Sequence, residues 1–156
     1  MAMYKGHVRF NLFIALPILL GGSDYLFHPS RAMLITFASV FAYSTLFMNP
    51  DLDLANQIKL FSIRGLLTLP FRSYAKIFSH RGLSHSLFLG SLTRILWLGG
   101  WAALVFLVMY KTLPTKSTLY KFYSLYQPYI LYSFAAICLA DWCHLLLDRK
   151  EMKKFG

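Results

Sequence analysis

Apart from two cysteines, five histidines and six acids are the only side chains in this chain that ordinarily ligate metal or exchange protons near neutrality. Two of the histidines fall in one run, His80-Arg81-Gly82-Leu83-Ser84-His85-Ser86. Neutral imidazole and carboxylate are the ligands of zinc, manganese and iron sites. Asp141, His144 and Asp148 stand at i, i+3 and i+7, within a sector of about 60° on a regular helix. They form one polar stripe on an otherwise apolar segment, which is expected to face a bundle and not lipid. Asp141 lies inside that apolar run, where an unpaired acid is costly. Asp51 and Asp53 are two apart in Asn49-Pro50-Asp51-Leu52-Asp53 and point the same way in an extended backbone. His80 and His85 are five apart, too far for one helical face, but Gly82 between them predicts a bend that turns both rings inward. The candidate metal ligands are therefore His7, Asp51, Asp53, His80, His85, His144 and Asp148. Asp141 and Asp148 are the candidate general bases. Arg81 and Ser84 are candidates for holding a phosphate or carboxylate. With Asp141 the donors exceed what one tetrahedral ion needs, so either two ions bind or some groups orient the others. Zinc is the first expectation, with manganese or iron also suited. Simpler roles exist for single members: His7 as an interfacial residue, Asp51 as a helix cap, Asp148 as a solvated charge.

The elements that would position these residues are membrane helices. The chain is 57% hydrophobic and only 14% charged, whereas soluble domains are nearer one-quarter charged. The expected fold is all-α: a single-domain, small integral membrane bundle of about four transmembrane helices. Apolar runs predict spans over about 10–22, 32–48, 87–110 and 125–147. The first is shorter than the roughly 20 residues that cross a bilayer and contains Pro17. A basic start and a short apolar run also resemble a signal peptide over residues 1–22, whose cleavage would remove His7. The connection 49–86 mixes basic and apolar residues and is expected either in the headgroup region or packed on its own bundle. A tyrosine-rich connection over 111–124 fits an interfacial aromatic belt. Arg94 is the one charge in the third run. Nine residues after His85 it faces roughly the opposite way on an unbroken helix, and is expected to pair with a neighbouring helix or to snorkel. Cys138 and Cys143 point to different faces of one helix, so no disulfide between them is expected.

Threading four spans puts the start of the first, the end of the second, the start of the third and the end of the fourth on one membrane face. These are the places of His7, Asp51/Asp53, His80/His85 and Asp141/His144/Asp148, while Asp24 and His28 fall on the other. Eleven lysines and arginines share the face of the candidate site and four lie opposite. By the positive-inside rule the site and both termini are cytoplasmic, in the inner membrane. The same rule accounts for the net charge of +10, and no nucleic-acid partner is expected.

Asn49-Pro50-Asp51-Leu52-Asp53, the basic-aromatic Leu69-Pro70-Phe71-Arg72-Ser73-Tyr74, the run His80-Arg81-Gly82-Leu83-Ser84-His85 and Gly90-Ser91-x-x-Arg94 together resemble an uncharacterised membrane family of metal-binding proteins common in cyanobacteria. More broadly, Pro-Asp-x-Asp, His-Arg-Gly-x-Ser-His-Ser and His-x-x-x-Asp look like the YdjM-like inner-membrane, metal-dependent hydrolases. The likeness is specific over residues 47–98 and weaker at His7 and over 141–148. It implies ligand roles for Asp51, Asp53, His80, His85, His144 and Asp148. Where the family often has glycine before the last histidine motif, this chain has Ala140-Asp141-Trp142-Cys143, so Asp141 inherits no role.

The resulting expectation is a metal-dependent hydrolase at the cytoplasmic membrane face. A bound ion would activate water towards an ester or phosphoester, on a lipid-linked or phosphorylated substrate. The alternative is non-catalytic metal binding, sensing or transport. Transport sites usually lie at the bilayer midplane, whereas these candidates cluster at one end of the spans. A third class is a structural membrane protein whose polar cluster only makes hydrogen bonds.

Overall fold

Two tight corners of the same design set the topology. At the first, His28 takes a left-handed conformation (φ 45°) and its N–H donates to the Asp24 carbonyl. Pro29 follows, and the Ser30 hydroxyl accepts from the N–H of Met33. At the second, Lys111 is left-handed (φ 59°) and donates to Leu107. Pro114 follows, and the Thr115 hydroxyl accepts from the N–H of Thr118. A left-handed residue ends each helix, a proline prevents its continuation, and a hydroxyl caps the next.

The computed structural model describes residues 2–48, 65, 68, 71, 73–74 and 89–152. Its elements are α1 (Ala2–Phe10), a π-helical turn (Asn11–Ala15), α2 (Leu16–Phe27), α3 (Arg31–Phe47), α4 (Leu89–Tyr110) and α5 (Lys116–Met152). No strand occurs among the described residues, and the fold is an all-α bundle.

The helices run beyond the expected spans. The first run is not confined to 10–22: Gly6–Phe27 is one apolar stretch of 22 residues, long enough to cross a membrane. Pro17 fails to end it because it stands at the start of α2, directly after the widened turn, where its missing N–H and its ring are accommodated. The helix that holds the fourth expected span begins at Lys116, so residues 116–124, expected in a connection, are helical. The stretch Lys116–Leu147 is 32 residues of apolar helix, and Pro128 lies within it. Leu89–Tyr110 is the third helix long and apolar enough to cross. The expected second span is shorter: Arg31–Phe47 has 17 residues, about 26 Å at 1.5 Å per residue, against a hydrocarbon core of about 30 Å.

The bundle is apolar outside and polar inside. Phe13 and Tyr25 are 76% and 79% exposed, while His7, Asn11, Thr45, Arg94, Asp141 and His144 are all buried. Apolar side chains cover the outer face and the few polar groups gather between the helices, the pattern that suits a bundle crossing a membrane. Small residues on α5 allow α3 close: Ala136 and Ala140 pack with Phe37, Phe41 and Ala15. Ala140→Leu is expected to overpack this seam and destabilise the bundle by about 1–3 kcal/mol, read as a lower melting temperature in detergent. A wild-type melting curve would show that the seam is loose. On α4 the buried residues are Gly90, Ser91 and Arg94, all in its first two turns. The connection packs on its own bundle at the positions described: Phe71 and Tyr74 are buried with Met48 and Ile137, and the Tyr74 hydroxyl is 2.9 Å from that of Thr93.

Candidate metal centre

Four chain segments meet at one end of the bundle. They are α1, the end of α3, the start of α4 and the last third of α5. His7 comes from the first and His144 from the last. Their rings meet edge to face with centroids 4.6 Å apart, at 4% and 3% exposure. One turn after His7, at the start of the π-helical turn, stands Asn11, whose Nδ2 donates to the Ala140 carbonyl at 3.2 Å and to the Thr45 hydroxyl at 3.4 Å.

Beside this pair lies a buried charge cluster. Arg94 Nη1 donates to Asp141 Oδ1 at 2.6 Å and to the Met48 carbonyl at 3.0 Å. The Ser91 hydroxyl donates to the other carboxylate oxygen, Oδ2, at 2.5 Å. One arginine thus ties the end of α3 and the start of α4 to α5. It pairs with a neighbouring helix, one of the two fates expected for it. Both Asp141 oxygens accept charge-assisted or hydroxyl hydrogen bonds, which suits an anchoring carboxylate.

The structure therefore brings His7 and His144 together, with Asp141 one turn before His144 on α5. Asp148 lies one turn beyond His144 in the same helix, and its side chain is outside the described residues. Asp51, Asp53, His80, Arg81, Ser84 and His85 also lie outside them. His28 and Asp24 are exposed at the opposite end. Two buried imidazoles in contact suit half of a zinc-class donor set, whose structural sites take four ligands and catalytic sites at least three from the protein. Among the described residues no three His, Cys, Asp or Glu side chains are close enough to hold an ion. A complete centre thus needs donors from beyond them.

Asn11, Thr45 and Ser91 are polar members of this end that metal-ligand spacing does not pick out. Their signal is the one that marks Asp141: a polar group inside an apolar run, one turn from another. No curated protein and no solved structure gives a significant match to the chain. Over residues 4–154 the chain matches the model of a family described as uncharacterized metal-binding protein (DUF2227), and it belongs to that family.

Proposed function

We propose that this chain binds a divalent metal ion where His7 meets His144 and uses it to hydrolyse an ester or phosphoester at the membrane surface. The observation that carries the metal reading is the contact of two buried histidines from opposite ends of the chain. Membership of a metal-binding family supports it. The further donors are Asp51, Asp53, His80 and His85. Connectivity favours them: Asp51 follows Met48 by three residues, and His85 precedes Leu89 by four.

When bound, a zinc-class ion supplies Lewis-acid polarisation of the ester or phosphoryl oxygen and of the attacking water. Asp148 is the base in this reading. Asp141 is held by Arg94 and Ser91 and serves to fix α5. Arg81 and Ser84 hold the anionic part of the substrate. The polar end of an apolar bundle suits a lipid-linked substrate. In this proposal the end with the excess of basic residues faces the cytoplasm, at an inner membrane, with both termini inside. Kinship with YdjM-like hydrolases belongs to the same proposal and would supply the reaction class.

The test is metal content by elemental mass spectrometry on detergent-purified protein. Wild type is expected to hold one or two equivalents of zinc, manganese or iron, and His80→Ala/His85→Ala to lose them. Turnover of ester and phosphoester substrates is then expected to vanish in His85→Ala. A wild type that is metal-free and refuses reloading sinks the whole reading. Stoichiometric metal without turnover on any such substrate leaves a binding or sensing protein.

A further inference from the structure

We infer that Asn11 is a positioning residue for this centre, holding α1 in the register that puts His7 against His144. The inference rests on the proposal that His7 ligates the metal. Asn11 follows His7 by one turn and is 1% exposed. Ala140, whose carbonyl it grips, precedes His144 by one turn. The two helices therefore meet in two successive rungs, Asn11 on Ala140 and His7 on His144. The second bond of the Asn11 amide, to Thr45, adds α3 to the same rung.

The local backbone is shaped for this. In a regular α-helix the eight residues from His7 to Ala15 turn about 80° beyond two full turns, which would carry them to different faces. In the π-turn the N–H of Leu16 donates to the carbonyl of Asn11, five residues back. That wider turn takes up part of the excess, and His7, Asn11 and Ala15 are all buried. Pro17 supports the opening, since it offers no N–H to the preceding turn and its ring crowds it. Widened turns inside helices are frequent at functional sites. An amide in a lipid-bathed span is disfavoured, and Oδ1 of Asn11 is buried with no hydrogen bond among the described residues. Packing alone would be served better by leucine.

The experiment is a double-mutant cycle of Asn11→Leu with His7→Ala. It is read by zinc and cobalt titration of the detergent-solubilised full chain, with the melting temperature of the metal-stripped protein as the check on fold. Leucine is nearly isosteric, and the Ala140 carbonyl keeps its place in the helix ladder, so the stripped protein is expected to melt as wild type does. Metal affinity is expected to fall about 10–100-fold, the usual effect of losing an orienting partner. In the His7→Ala background the same substitution is expected to cost nothing more. Asn11→Ser, too short to hold both partners, runs the same cycle if leucine prevents folding. Wild-type affinity in the Asn11 variant overturns the inference, as does an equal loss in both backgrounds, and either leaves the metal centre standing. A wild type that takes no metal overturns both.

Discussion

Alanine at Arg94 or at Asp141 alone is expected to destabilise the bundle by about 3–5 kcal/mol, whereas replacing both with apolar residues of similar volume, Arg94→Met/Asp141→Leu, recovers most of the loss. The Arg94 and Asp141 side chains are 1% and 2% exposed, and the bond between them is 2.6 Å. Desolvating either charge is costly, and their mutual attraction offsets that cost only while both are present. Removing Arg94 leaves a buried carboxylate with the Ser91 hydroxyl. Removing Asp141 leaves a buried guanidinium against the Met48 carbonyl. The apolar interior of the bundle offers neither group a substitute for water. The double replacement removes the unpaired charge and refills the space. For a chain of this size the single variants correspond to a melting temperature lower by about 10 °C or more. Thermal unfolding in detergent, followed by circular dichroism, checks it. Single variants that melt with wild type would mean that the pair carries none of the registry assigned to it. If the double variant regains stability but binds metal weakly, the pair serves the centre as well as the fold.

The all-helical architecture was legible because long apolar runs that are to cross a bilayer can only be helices. The order of runs also put the start of the first and the end of the fourth on one face, and there His7 and His144 meet. Helix limits were harder. Pro17 reads as a break, yet a single widened turn absorbs it, and nothing in the local composition announces that turn. Residues 116–124 read as a connection because Lys116, Lys121 and three aromatic residues look interfacial, but no residue there stops a helix capped at Thr115. The partner of Arg94 was within reach. It is the one charge inside its run and Asp141 the one acid inside its own, so pairing them satisfies both. Counting turns from His85 directs attention away from that, because orientation relative to a sequence neighbour says little about which helix lies opposite. Asn11 was passed over because amides do not figure among zinc ligands, although its spacing from His7 is the spacing that made the α5 stripe conspicuous.

Removing His7 or His144 is expected to weaken zinc binding on the order of 100-fold each, and removing both to abolish stoichiometric metal. Structural zinc is bound with about 10–16 kcal/mol. Shared among four donors, that is about 3 kcal/mol per ligand, or roughly two powers of ten. His28→Ala is the control, since that imidazole is exposed at the far end of the bundle, and its affinity should equal wild type. The rings also touch as aromatic neighbours, an interaction worth about 0.5–1.5 kcal/mol in packing. The melting temperature of metal-stripped protein therefore separates the two roles. A ligand pair shows a small loss in the stripped protein and a large one in the loaded protein. A packing pair shows the same loss in both. If His7→Ala keeps full affinity, the edge-to-face contact is only packing, and the centre must be assembled from His144 and donors elsewhere. If both variants lose the ion, and ester or phosphoester turnover falls with it and returns only at high added metal, the two histidines hold the metal on which the reaction depends.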